Sequence, residues 1–282
     1  MSDSGRPGRR FVLKSLIGLG VGSTTGVAAW GYFYERQRLF SNTSRVPIAG
    51  LPSALHGLRI ALLTDLHRSE AVSDEFIRSA VGLARAARPD VVVLGGDYVS
   101  FGDRRFMQAS AETLSGLTAP NGVFAVMGNH DDDREMPAAL KRQGVEVLRD
   151  ARTTVSIHGQ PVDFIGLRFW SRRRDILARI LAGAEGFPIL LAHDPRRLPD
   201  AASLRIPLVL SGHTHGGQVR LPGLTAITAR KFPVLAGLGY EGPTTLFVSR
   251  GVGTIYVPVR VNCPPEVSIL ELVPRAAPAP PS

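Results

Sequence analysis

Five short apolar runs in this chain each stop at a cluster of imidazole, carboxylate or amide side chains, and that arrangement constrains the fold more than any other feature. LRIALLTDLH (residues 58–67) ends in Asp65 and His67, and DVVVLGGD (90–97) ends in Asp97. GVFAVMGNHD (122–131) ends in Asn129, His130 and Asp131, FPILLAHD (187–194) in His193 and Asp194, and IPLVLSGHTH (206–215) in His213 and His215. Each run is short, rich in branched residues and bounded by Gly, Pro or Asp, the pattern of a buried strand. Five of the seven histidines lie at these five ends. A core that merely tolerated histidine would not sort it to one end of every strand.

Helical patterns separate the first three runs. Ser73 can cap a helix that carries Phe76, Ile77, Ala80, Val81 and Ala84 on one face, with Asp74 and Glu75 in its first turn. Asp103 can start another, with Phe106, Met107, Ser110 and Leu114 on one side. Strand–helix–strand alternation predicts an α/β fold with parallel strands and right-handed crossovers, and such sheets bind ligands beyond their carboxyl ends. Residues 145–169 read as three consecutive antiparallel strands with turns at Asp150 and at Gly159-Gln160, and residues 244–249 and 267–273 add two more strands. The expected architecture is two packed sheets with helices outside.

The ends of the chain differ from its body. Residues 1–45 hold seven Arg/Lys against two Asp/Glu, +5 of the total charge of +9, so the basic excess belongs mainly to a tail. No motif of nucleic-acid recognition accompanies it, and nucleic acid is excluded as a binding partner. Arg9-Arg10 precede a Gly-rich apolar run from Ser15 to about Tyr34, near the length that crosses a bilayer. The pattern resembles a twin-arginine export signal. It predicts the twin-arginine translocase and the cytoplasmic membrane as partners. The body then lies on the outer face of that membrane, or is secreted if Val27-Ala28-Ala29 is a cleavage site. Trp30, Tyr32, Phe33 and Tyr34 suit the aromatic belt of a retained anchor. The expected organisation is therefore a signal or anchor over residues 1–34, a linker over 35–56, a catalytic domain over 57–273 and a disordered Pro/Ala tail over 274–282. The single cysteine, Cys263, excludes an intrachain disulfide.

Imidazole and carboxylate together suit zinc, iron or manganese, whereas calcium calls mostly for oxygen. Asp65, His67, Asp97, Asn129, His193, His213 and His215 are too many ligands for one ion that keeps an open position. They suit two divalent ions about 3.5–4 Å apart, with Asp97 as the natural bridge. In an extended Asp-x-His or His-x-His, residues i and i+2 point to the same side, so His213 and His215 are expected to project together. Gly216-Gly217 are expected to keep Cβ atoms away from the metals. His56 and His158 are expected at the surface, and Arg172-Arg173-Arg174 at a solvated helix start.

Taken in order, Asp-x-His, Gly-Asp, Gly-Asn-His-Asp, a lone His and Gly-His-x-His resemble the calcineurin-like metallophosphoesterase superfamily across about residues 58–273. VSRGVG, PVR and CPPE near the end resemble its bacterial membrane-associated, twin-arginine-exported phosphodiesterase branch. The resemblance implies a four-layer αββα sandwich and a two-metal phosphoester hydrolase. It implies Asp65, His67 and His215 on one ion, Asn129, His193 and His213 on the other, and Asp97 bridging. It implies that a hydroxide held between the ions attacks phosphorus. It further implies that His130 is not a ligand but stabilises the transition state or protonates the leaving oxygen, held protonated and oriented by Asp131. Arg68-Ser69 stand where related chains often carry Gly, a difference at the substrate rim. The expected substrates are phospholipid head groups, nucleotides or wall phosphodiesters. The alternatives are a pyrophosphatase acting on UDP-2,3-diacylglucosamine in lipid A synthesis, a metal-dependent amidase, or a catalytically silent envelope module.

Overall fold

The computed structural model describes residues 25–171, 174–221 and 230–275, so residues 1–24, the pair 172–173, the segment 222–229 and the tail 276–282 lie outside it. The described strands form two six-stranded sheets. The first sheet runs β1 (Phe40–Ile48), β12 (Glu266–Pro274), β2 (Arg59–Leu63), β3 (Val91–Leu94), β4 (Val123–Ala125) and β5 (Glu146–Val147). The second runs β10 (Gly237–Glu241), β11 (Thr244–Val248), β9 (Leu208–Ser211), β8 (Phe187–Ala192), β7 (Gln160–Leu167) and β6 (Ala151–Ile157). Strands β2 to β5 are parallel in one sheet, and β7, β8 and β9 are parallel in the other.

The apolar runs lack alternation because both faces of these strands are covered. Ile60 and Leu62 of β2 and Val91 and Val93 of β3 face the second sheet, where they meet Phe164, Ile189, Leu208 and Phe247. Phe124 and Phe164 stack across this layer with ring centroids 4.4 Å apart. The intervening Ala61, Leu63, Val92 and Leu94 face outward, against α2 (Asp74–Ala86), α3 (Met107–Thr113) and α4 (Met136–Lys141). On the far side, α5 (Arg174–Leu181) and α6 (Leu198–Ser203) cover Ile165, Leu190, Val209 and Leu246. The order is helix, sheet, sheet, helix. Each fully buried Leu, Ile or Val contributes roughly 1.5–3 kcal/mol relative to exposure, and the three layers of contact hold the two sheets in fixed relation.

Helix α2 forms as its sequence dictates. The Ser73 hydroxyl accepts from the Phe76 N–H, Asp74 and Glu75 occupy the first turn, and Ile77, Ala80, Val81 and Ala84 are buried. Asp103 likewise accepts from the Arg105 N–H and opens a short 3-10 turn that runs into α3.

Two expectations need correction. The segment taken as a linker contains β1, paired in parallel with β12 from Phe40↔Glu266 to Ile48↔Pro274. It is an edge strand, so its outer residues are polar and Pro47 is tolerated, which hides it from a search for apolar runs. The stretch around Glu146 does not pair with the next strand. β5 joins β4 in the first sheet, and the chain crosses at Asp150 into the antiparallel β6–β7 hairpin of the second. Residues 1–24 of the expected signal or anchor lie outside the described residues, and no described helix is long and apolar enough to cross a membrane. Its last part, residues 25–33, is a helix, α1, docked on the domain. A Cβ at Gly31 would lie 2.6 Å from the Arg260 carbonyl oxygen, and Glu35 accepts from the Cys263 N–H at 2.6 Å.

Candidate metal centre

The ligand-type residues follow the ends of β2, β3, β8 and β9, as their positions in sequence require. Their convergence has a different cause from the one expected. Asp65, His67, Asp97, His213 and His215 all have positive φ, between +48° and +73°. They are left-handed turn residues, not extended ones, and each such conformation costs roughly 1–3 kcal/mol that the surroundings must offset. The offset is visible as backbone hydrogen bonds between loops. The Asp65 N–H donates to Gly96 O at 2.9 Å, His67 N–H to Asp97 O at 3.0 Å, and Gly212 N–H to His193 O at 3.1 Å.

The turns keep Asp65 with His67 but separate His213 from His215. Asp65, His67 and His215 form one buried triad, and Asp97, His193 and His213 form a second. His213 and His215 therefore part company. His67 Nε2 and His215 Nε2 are 3.0 Å apart, and His215 Nε2 lies 3.3 Å from Asp65 Oδ1. Asp97 Oδ2 sits 3.1 Å from His193 Nε2 of its own triad and 3.5 Å from His67 Nε2 of the other.

These residues fit divalent cations. Asn129 Oδ1 and His193 Nε2 are buried without a hydrogen-bond partner, since the 3.1 Å approach of His193 Nε2 to Asp97 is not aligned for one. Orphaned buried polar atoms are costly unless something else satisfies them. Metal–ligand bonds of about 2.0–2.2 Å place neighbouring ligand atoms about 3.0–3.5 Å apart, the spacing seen within the triads. His193 Nδ1 bonds the Gly95 carbonyl at 2.7 Å, which makes Nδ1 a donor and turns Nε2 towards the centre.

Burial drives the His67 imidazole down to about 3 and His213 to about 4, and holds His215 well below its ordinary value. Neutral imidazoles are the form that ligates. Burial raises Asp65 to about 6. Burial also works against ionisation of Asp97, but the charge and close polar approach of His193 outweigh it and keep its carboxyl well below the usual range. His193 is the counterpart: burial lowers it, and the charge of Asp97 prevails, raising it to about 10. The two buried carboxylates concentrate their demand for positive charge between them.

His130 stands outside both triads. Its ring lies 5.2 Å from that of His67, and its own N–H donates to Asp97 Oδ1 at 2.8 Å. Its Nδ1 accepts from the Phe101 N–H at 3.3 Å, so the proton sits on Nε2 of a neutral ring, and burial lowers its pKa. Asp131 does not orient that ring. Its carboxylate accepts three backbone N–H groups, from Asp97 and Gly128 at 2.8 Å and from Tyr98 at 2.7 Å. It ties the loop after β3 to the loop after β4, and thereby places Asp97 beside Asn129.

The glycines act differently as well. A Cβ on Gly216 would meet Cys263 Sγ at 2.6 Å and Arg250, beneath the loop and away from the ligands. Gly212 is where close approach is required, because a Cβ there would lie 2.4 Å from Asp65 Oδ2. Cys263 is buried and its thiol bonds the His215 carbonyl at 3.2 Å. Arg260 is fully buried and donates to the carbonyls of Arg250, Gly251, Gly253 and Cys263, which fastens the 250–263 loop behind Asp65. Sequence reasoning missed Arg260, Thr64, whose hydroxyl donates to Asp65 at 2.8 Å, and Ser100, 3.3 Å from His67 Nδ1. No ligand-type spacing marks them, since a hydroxyl or a guanidinium that supports a ligand or its loop is not itself a ligand type. His158 is exposed and bonds the Ala54 carbonyl, and His56 is also exposed. Arg172 and Arg173 lie outside the described residues, and Arg174 begins α5.

Two carboxylate–imidazole triads at the carboxyl ends of two facing sheets define a metal-dependent phosphoester hydrolase, and the chain belongs to the calcineurin-like phosphoesterase family, which it matches over residues 58–217. Among individual proteins it is similar to the phosphodiesterase YaeI of Escherichia coli (strain K12), 33% identical over 225 residues, 76% of this chain and 82% of that one. The uncharacterized metallophosphoesterase YkuE of Bacillus subtilis (strain 168) is 27% identical over 94% of this chain and 97% of its own. A transmembrane protein with metallophosphoesterase domain from Danio rerio is 31% identical over 80% of this chain and 56% of its own.

Proposed function

We propose that this protein is a two-metal phosphodiesterase of the cell envelope. The observation that carries the two-metal reading is Asp97 Oδ2, which faces one histidine of each triad. Asp65, His67 and His215 would hold one ion, and Asn129, His193 and His213 the other, with Asp97 shared. The donors are imidazole, carboxylate and amide, which suits Mn²⁺, Fe²⁺/Fe³⁺ or Zn²⁺. Such ions, when bound, turn water into a nucleophile at neutral pH and oppose the charge of the phosphoryl oxygens. The Nε2–H of His130 donates to an oxygen on which charge develops. Asp131 holds the Asp97 and Asn129 loops in register.

Preference for diesters is supported by the printed function of the Escherichia coli relative. The Mn²⁺-loaded protein is expected to hydrolyse bis(4-nitrophenyl) phosphate faster than 4-nitrophenyl phosphate. Chelation should abolish the reaction and Mn²⁺ restore it. A preference for the monoester, or turnover unaffected by chelation, would overturn this reading.

The location follows from Arg9-Arg10 and the apolar run behind them, with support from the name of the Danio rerio relative. Cleavage after Ala29 would cut α1 just before Gly31, where the helix is docked, so retention as an anchor is favoured. Trp30, Phe33 and Tyr34 remain exposed, as residues at a membrane interface would. Protease added to spheroplasts should digest the wild-type domain and spare an Arg9→Lys/Arg10→Lys variant trapped inside with its activity intact. Protection of the wild type would place the domain in the cytoplasm and favour the nucleotide-linked lipid substrate instead.

A further inference from the structure

A cleft of about 260 Å³ opens beside His130, walled by Phe101, Phe106, Ile255, Tyr256, Val257 and Pro258. Three of these side chains face solvent although nothing polar recommends them: Phe101 is 64% exposed, Tyr256 79% and Val257 53%. Phe101 and Tyr256 also have φ of +54° and +61°, a conformation that bulky residues rarely adopt. Two strained, exposed aromatics at the mouth of a reaction centre are unfavourable for the free protein, and a ligand that covers them offsets that cost.

We propose that this cleft binds the hydrocarbon arm of an amphiphilic phosphodiester while the phosphate lies at the metal centre. The inference rests on the phosphodiesterase reading above and deepens it. The Phe101 ring is 5.2 Å from the His130 ring, so an arm lying on it is joined to a phosphate within reach of His130. The Phe101 and Tyr256 rings touch edge-on, 5.6 Å apart at 61°. They form a continuous apolar wall and leave no parallel slot for a flat base. The charged groups of the lining are occupied with one another: Arg105 donates to Asp103 at 2.7 Å and lies 3.9 Å from Glu70. Ser100 is turned to His67. The cleft thus offers area for burial and few free polar groups to recognise a nucleobase or sugar. An arm of hydrocarbon gains from each methylene removed from water.

The test compares methyl, octyl and thymidine-5′ esters of 4-nitrophenyl phosphate, which share one leaving group, below any micellar concentration. For the Mn²⁺-loaded wild type, kcat/KM for the octyl ester should exceed that for the methyl ester on the order of 30-fold, mostly through KM. The thymidine ester should resemble the methyl ester. In a Tyr256→Asn/Val257→Ser variant the octyl advantage should fall to about 3-fold or less while the methyl ester is turned over as before; Asn tolerates the left-handed backbone, and both sites are exposed. An octyl advantage near unity in the wild type, one that survives in the variant, or a preference for thymidine overturns the proposal. If none of the three esters is hydrolysed, the phosphodiesterase reading fails instead. Calorimetry with octyl and methyl phosphate then decides the cleft by itself: tighter octyl binding that the variant loses supports it, and equal binding sinks it.

Discussion

Asp97→Asn is expected to abolish hydrolysis and to release at least one ion. The substitution is nearly isosteric, and an amide oxygen can still accept the His130 N–H that Asp97 Oδ1 now receives at 2.8 Å. The backbone contacts of residue 97 with His67 and Asp131 do not involve the side chain. What disappears is the negative charge set most closely between the triads, at 3.1 Å from His193 Nε2 and 3.5 Å from His67 Nε2, whereas Asp65 Oδ1 lies 3.9 Å from His193 Nε2. A bridging carboxylate contributes several kcal/mol to holding two cations, so kcat should fall by at least about 10³-fold. Metal analysis should give fewer than two ions per chain, with circular dichroism unchanged. Two retained ions and normal turnover would show that Asp97 is not the bridge.

His130→Asn should leave metal content unchanged, because His130 belongs to neither triad. Loss of one donor to developing charge typically reduces kcat roughly 10²–10³-fold. The structure also decides how the deficit should vary with leaving group. Nδ1 accepts the Phe101 N–H, and burial lowers the pKa, so the neutral ring offers a hydrogen bond from Nε2 and not a readily transferred proton. The deficit should therefore be similar for an alkoxide and for a nitrophenolate leaving group. A deficit that vanishes with nitrophenolate would restore proton transfer to His130, as the sequence resemblance implied. Loss of an ion would make His130 a ligand.

Much of the centre was legible before any coordinates. The runs ending at Asp65, Asp97, Asn129, His193 and His213 become strands because a chain with so many short, branched, uninterrupted apolar segments can satisfy them only by covering both faces. Ligand chemistry is equally local, since imidazole and carboxylate are metal ligands wherever they converge. The role of Asp131 was not legible. Its neighbour in sequence is His130, and proximity along the chain suggested a pair, yet its three partners are N–H groups, two of them from a loop more than thirty residues away. Strand β1 was hidden for the converse reason: an edge strand buries only Val46 and Ile48 in its core, too few to mark its sequence.

By itself, the sequence determined which side chains could hold metal, that they would gather at one end of the sheets, and the family to which the order of motifs belongs. The resemblance already implied how the gathered residues are shared; only the tertiary structure decided how the backbone brings that sharing about. His213 and His215 go to different triads because the backbone leaves the strand at Ser211 and turns through left-handed conformations, at φ +73° and +51°, that an extended His-x-His would not have. Those conformations persist because two remote segments satisfy the turn: the Asp65 carboxylate accepts the His213 N–H at 3.0 Å, and the Cys263 thiol bonds the His215 carbonyl at 3.2 Å. Local periodicity specifies where a strand stops, but the path of the next three residues depends on what lies against them.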